Sequence, residues 1–394
     1  MGPMTVRYSA LLLLLALASC AGSAQQTRPR SAHDRGASHS TLRGGEFRVV
    51  GPGVAGGGDA YDATLLFERA TQLVRDNQFE PAVREYDRLL REFPAASEAI
   101  TAQFNRGLCL QRLSRLPEAA DAMRAAAASS RDPELVRDAL FRLAVVGESA
   151  QQPDWVVEAT GRLLDHATLT LAERVEALAR RSAALLARGD RAGAVEQAER
   201  AVALATTPEA ILNLGDDTYI AQARFLLGEA TRLEAATLQW QVEAPGADDV
   251  IARRTALVTH AHVQFNEAIR VGNPDWAAAA GYRIGELYQD LFNAIVNAPL
   301  PADWDEHARG IYRERTGERL RPLLQGALRS WEATLTMAQR NGIANNAWVR
   351  RADAALTGLR NLILGNEAPT PAAPPRPAAP PATPTAPATV RPAA

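Results

Sequence analysis

The 394-residue chain has no lysine; all 43 of its basic residues are arginine. That fits selection for bidentate anion contacts, or, more plainly, a GC-rich genome that raises Arg, Ala and Pro together. Cysteine is almost absent. Of the two, Cys20 ends an amino-terminal apolar run, and Cys109 lies between Leu108 and Leu110 in a helical pattern. The folded part therefore has no disulfide of its own, and Cys109 reads as a buried structural thiol, not a nucleophile. There are six histidines. His260 and His262 sit about 200° apart on a helix and cannot share a metal there. HExxH, phosphate-loop and dinucleotide motifs are missing. Asp216-Asp217 lacks a calcium ladder and reads as a helix start before Thr218 and Tyr219. No cofactor or metal is expected. A net charge of −2 gives no electrostatic reason to bind nucleic acid. The longest apolar run, Leu11 to Leu17, is too short for a comfortable membrane span.

What is abundant is Ala and Leu, which favour helix. The stretch Ala63 to Pro94 reads as two amphipathic helices joined at Asp76-Asn77-Gln78. Leu66, Ala70 and Leu73 share one face; Ala82, Tyr86 and Leu89 share another. Small residues stand where the helices approach, and Pro94 closes the pair. So short a pair is marginal alone and needs stacked copies. Copies follow. The interval of twelve between Ala70 and Ala82 recurs between Gly107 and Ala119, between Ser182 and Ala194, and, degraded, between Ala144 and Val156. The anchors Ala70, Gly107, Ala144 and Ser182 are spaced by 37, 37 and 38, a period typical of stacked helix pairs.

The pattern resembles the tetratricopeptide repeat (TPR). Unit one matches through Ala70, Phe79, Ala82, Tyr86 and Pro94. Unit two matches through Gly107, Leu110, Leu116, Ala119 and Ala126, with Met123 in the aromatic slot, and unit four through Gly189-Asp190, Ala194, Ala198 and Ala201. Unit three, with Trp155-Val156-Val157 for the expected Ala, belongs by spacing. Two later units are interrupted. Gly228 pairs with Ala261, Phe265 and Ala268, 33 residues on from Gly228 to Ala261, and Gly285 with Ala327 and Trp331, 42 residues on to Ala327. The insertions, near 236–256 and 293–320, either display a partner surface or lengthen helices and brace the fold. The second contains a strongly charged helix near Asp305 to Arg321. A last helix, Asn346 to Leu364, caps the array. The resemblance implies an all-α, right-handed superhelical solenoid of about six hairpins with a carboxy-terminal capping helix over residues 61–365.

The residues Leu17, Ala18, Ser19 and Cys20 resemble a bacterial lipobox. That resemblance implies a signal peptide at 1–19, cleavage before Cys20, acylation there including palmitate, and several acyl chains as a stable anchor. Ala21, where Asp would retain the protein at the inner membrane, points to the outer membrane and a periplasm-facing body. Residues 20–60 read as the lipidated Cys and a flexible linker. Residues 366–394 form a Pro/Ala-rich disordered tail, with ten prolines in the last 28 residues, that offers a contact to peptidoglycan or a proline-binding module, or stays solvated.

Phe67, Phe104, Phe141, Phe225 and Tyr282 each lie three residues before the small anchor of their unit; Ala179 is the exception. They form either an aromatic ladder along a partner groove or packing between units. The Lys and Asn clamp of chaperone-tail TPR proteins is absent, and Glu229, Glu286 and Asp290 make the late inner positions acidic, suited to a basic or apolar segment. Lytic transglycosylases also combine helical solenoids with lipid anchors, but no lysozyme-like catalytic stretch is present. The expected function is a non-enzymatic scaffold or adaptor lipoprotein that binds protein or peptide partners in envelope assembly, secretion or motility complexes. The alternatives are a glycan-binding uptake lipoprotein and a cell-wall enzyme activator.

Overall fold

The computed structural model describes residues 57–166, 169–207 and 218–364. These form thirteen helices and no strand among the described residues. The helices fall into two compact units. The first holds α1 (Gly57–Arg75), α2 (Phe79–Glu92), α3 (Ala99–Arg112), α4 (Leu116–Ser129), α5 (Pro133–Ser149), α6 (Pro153–Leu164), α7 (Leu171–Ala187) and α8 (Arg191–Ala205). The second holds α9 (Thr218–Thr237), α10 (Ala247–Val271), α11 (Pro274–Val296), α12 (Glu306–Asn341) and α13 (Ala347–Leu364). Chain-adjacent helices pack on one another from α1 through α7, and again from α9 through α13. The result is six hairpins and a final helix.

Each hairpin of the first unit turns in the same way. Asn77, Ser114, Gln151 and Gly189 all have positive φ, between 54° and 84°. The amide after each bonds back five residues: Gln78 N to Leu73 O, Arg115 N to Leu110 O, Gln152 N to Gly147 O and Asp190 N to Leu185 O, at 2.8–2.9 Å. This is the Schellman closure, in which a left-handed residue lets the chain satisfy its last carbonyls and reverse at once. The following helix then starts within one or two residues. Between hairpins, Asp132 caps Glu134 N with Pro133 behind it, and Thr170 with Glu173 forms a capping box.

Small residues face larger ones across the second, third, fifth and sixth hairpins. A Cβ on Gly107 would come within 2.6 Å of Met123 Cε, one on Gly228 within 2.7 Å of the Phe265 ring, and one on Gly285 within 2.1 Å of Trp331 Nε1. In the fourth hairpin the small residue is Ser182, whose hydroxyl donates to Ala194 O at 2.7 Å. The third is closed differently, with Gly147 against Val156 and Trp155. Ala70, Ala82, Ala119, Ala261 and Ala327 are fully buried beside these contacts.

The insertions appear chiefly as helix length. The charged stretch expected as a separate helix is the first part of α12, which runs 36 residues through Pro322. Proline costs one backbone bond there but does not end the helix. The two added loops meet: Val242 N donates to Pro299 O at 3.1 Å. Tyr312 OH donates to Ile295 O at 3.1 Å, Trp304 packs edge-on against Tyr312, and Arg254 donates to Leu238 O. The insertions brace the unit at this end.

Candidate partner-binding surface

The first helices of successive hairpins share one face, and in the first unit the aromatic residues on it point inward. Phe67, Phe104 and Phe141 are 3%, 0% and 4% exposed. A side chain three residues before the buried anchor lies on the same side of the helix as that anchor, so it enters the seam between helices. Phe67, for example, meets Tyr86 edge-to-face at 5.9 Å. The aromatic ladder is therefore corrected: these rings are core, not rungs open to a partner. Burial pushes the Tyr86 hydroxyl up to about 12 and the Cys109 thiol up to about 12, so Cys109 is a buried thiol without thiolate character.

What the first unit carries between its first helices is a polar network. Arg180, 1% exposed, donates to Glu148 at 2.5–2.6 Å and to Glu176 at 2.9 Å. Arg142 reaches Gln111 Oε1 at 3.5 Å. Its guanidinium is held down at about 10, first by burial, then by the nearby charges of Arg180 and Arg112. Further pairs link neighbouring hairpins: Arg115 with Glu80, Arg124 with Glu158, and Arg188 with Asp154. Arginine suits this because its planar fork reaches two acceptors at once.

In the second unit Phe225 is again buried, at 3%. It packs on Phe265, Trp276 and Trp348 with centroids 5.2–6.0 Å apart. Tyr282 is half-buried, lies 5.5 Å from Trp348, and donates to Glu286 at 2.7 Å. The expected acidic groove is also corrected. Glu229 is 8% exposed and pairs with Arg232 at 2.6 Å and Arg283 at 3.0 Å, while Glu286 pairs with Arg283. A buried carboxylate needs a matched cation; Glu229 has one three residues on and a second on the adjacent first helix, and Glu286 has one three residues before it. A narrow cleft of about 20 Å³ lies beside this cluster, lined by Arg232, Arg254, Leu287 and Asp290 among others. It has room for about one water molecule. Asp290 is exposed on its outer side, yet the crowded cleft wall and then Glu286 hold its carboxyl above the usual range.

The starts of the three first helices are tied in series. Asn273 Nδ2 donates to Thr218 Oγ1 at 3.0 Å, and Asn346 Nδ2 to Asp275 Oδ1 at 2.6 Å. His262 is buried, with Nε2 2.7 Å from Asn266 Nδ2 and Nδ1 3.2 Å from Tyr288 OH; burial lowers its pKa. Among the described residues no three His, Cys, Asp or Glu side chains come together to hold a metal. No described helix is long and apolar enough to cross a membrane. Pro94 sits exposed in the loop after α2. Leu17, Ala18, Ser19 and Cys20, the linker and the tail lie outside the described residues. Sequence reading missed the arginine network, the left-handed turn residues and the reach of Trp348. Only the turns left a trace, in the Asn77 and Gly189 that favour positive φ.

No family model matches the chain, and no curated protein matches it. Among solved structures it is similar to a tetratricopeptide repeat protein from Parabacteroides merdae ATCC 43184, at 12% identity and a TM-score of 0.35, covering 74% of this chain and 99% of that one. At that level of likeness, the reading of this chain as stacked helical hairpins rests on the turns and packing described above.

Proposed function

We propose that this protein is a non-enzymatic scaffold that holds protein partners at the cell envelope. It is anchored through lipid on Cys20 to the periplasmic face of an outer membrane and serves an assembly, secretion or motility complex. The observation that carries the scaffold reading is the stacking of hairpins within each unit, four in the first and two in the second, whose seams are filled from within by aromatic, alanine and arginine side chains. Such stacks present long continuous faces whose shape is independent of a ligand. The lipobox-like Leu17-Ala18-Ser19-Cys20 and the Gly/Ser-rich stretch to residue 60 support an anchored body on a tether.

Two experiments test this. Metabolic acyl labelling of wild type and Cys20→Ala should show label only on the wild type; labelled Cys20→Ala protein would overturn the anchor. Affinity capture of the acylated full chain from its own envelope should recover a reproducible protein partner, and recovery of none would overturn the scaffold reading.

A further inference from the structure

Asparagine followed by glycine occurs once in the chain, at Asn341-Gly342. The fold puts this pair at the end of α12, in the turn that leads into α13. Four described glycines hold positive φ, namely Gly189, Gly246, Gly272 and Gly342, and only Gly342 follows an asparagine. Both residues of the pair are exposed, and a Cβ built on Gly342 would meet nothing within 4 Å. With no side chain of its own and none packed at that position, Gly342 leaves its backbone nitrogen uncovered. That nitrogen is also held loosely. Its N–H is shared between Ala338 O and Gln339 O, the second at 3.3 Å, which is long for an amide bond.

Two contacts restrain the pair. Asn341 Nδ2 donates to Met337 O at 2.9 Å, which lays the amide back along the helix, away from Gly342. Ile343 N donates to Ala338 O at 3.0 Å, the Schellman closure that fixes the last turn. Beyond it, Asn346 N donates to Ile343 O at 2.9 Å, and the Asn346 side chain caps Trp348 N at 2.7 Å and bonds Asp275 at 2.6 Å. The turn is thus tied to the seat of α13.

We propose that Asn341 is a site of spontaneous modification, converted slowly to aspartate and isoaspartate, and that opening of the turn between α12 and α13 sets the rate. The Gly342 nitrogen gives up its proton to solvent base and attacks Asn341 Cγ. The Cγ–Nδ2 bond breaks, ammonia leaves, and a five-membered succinimide closes between the two residues. Water then opens the ring. Breaking the Cγ–N bond restores the main chain with aspartate. Breaking the backbone C–N bond leaves isoaspartate, with the chain routed through Cγ and one carbon longer. Attack needs the amide to leave Met337 O and Asn341 to leave its helical backbone angles, so only the opened turn reacts. Either product sets a new carboxylate at the carboxy-terminal end of α12, where the helix dipole is already negative and Arg340 is the one basic residue of the last turn.

The test incubates the full-length chain at mildly alkaline pH and follows each asparagine by peptide mapping with mass spectrometry. A free synthetic peptide copying residues 337–347 is incubated beside it. Asn341 should convert before any other described asparagine, and at least tenfold more slowly than in the peptide. Hydrogen exchange at the Gly342 and Ile343 amides gives the fraction of time the turn is open. That fraction times the peptide's rate should match the rate in the folded chain to within about a factor of ten. Asn346→Ala, which loosens the seat of α13, should speed conversion severalfold. Conversion first at another asparagine, or none at Asn341 over the time the open fraction predicts, would overturn the site. A rate equal to the peptide's, or one unchanged in Asn346→Ala, would overturn the control by the turn. If Asn346→Ala unfolds the second unit, seen as loss of its near-ultraviolet circular dichroism, the exchange comparison in the wild-type chain decides alone.

Discussion

The first unit is built from helices of 12 to 19 residues, the second from helices of 18 to 36. The short helices are joined by four copies of one left-handed turn and linked by arginines that pair with the neighbouring hairpin. The long ones are filled with rings: Phe225, Phe265, Trp276, Trp331 and Trp348 belong to one core. Short hairpins bury little area each, so they depend on their neighbours through many small, repeated contacts. Long hairpins bury enough to depend on a few large side chains. The same repeat therefore reaches stability by two routes, and the two units should respond to different injuries.

The largest expected effect is in the second unit. Trp331, fully buried, fills the space over Gly285 and donates to Tyr282 O at 3.0 Å. Trp331→Ala should cost about 3–5 kcal/mol. Hydrogen exchange should show loss of protection in α9–α13 with α1–α8 unchanged, and a uniform loss would break the comparison. Next, Arg180→Met in the first unit should cost about 2–3 kcal/mol, less than a fully buried pair because Glu148 and Glu176 stay near one-fifth exposed. Urea melting followed by exchange in α5 and α7 reads this out.

A graded effect comes from pH. His262 has its folded pKa lowered by burial, so below its unfolded value, near 6.5, the unfolded chain binds more protons than the folded one. Stability of the second unit should then fall as pH falls from about 7 to 5. His262→Gln should flatten that dependence; an unchanged slope would remove His262 as its source. The smallest effect has the opposite sign. Ser114 and Gln151 hold positive φ without being glycine. Ser114→Gly and Gln151→Gly should each stabilise the first unit by about 0.5–1 kcal/mol, the left-handed penalty less the entropy glycine adds. Thermal melts of the single and double variants check this.

The hairpins were legible because their markers are local. Ala70 with Ala82 and Gly107 with Ala119 announce a close helix contact through residue size and spacing alone. Gly228 with Phe265 and Gly285 with Trp331 were legible too, since a glycine facing a ring leaves the same trace across an insertion. The partner surface was not. A residue three positions from the anchor is on the buried side whatever its type, and ring chemistry says nothing of exposure. Arg232 and Arg283 each stand three residues from an acid and were legible as pairs of Glu229 and Glu286; the burial of the cluster was not, because it depends on Arg283 also reaching Glu229, 54 residues back, and no spacing rule joins neighbouring first helices of unequal hairpins. Trp348 was readable as a cap residue from its face of α13, but its contact with Phe225 depends on how far helices lean, which periodicity does not encode.

The bond between Val242 and Pro299 joins two loops that interrupt different hairpins. The first insertion relies on the second for the acceptor of its buried Val242 amide. A chain that had gained only the first would leave the buried Val242 amide without this acceptor, while the exposed Pro299 carbonyl would turn to water. A version of this protein trimmed at the second site but not the first would therefore report on a broken joint as well as on the role of the segment removed. Engineering that removes the second insertion has to shorten the first with it.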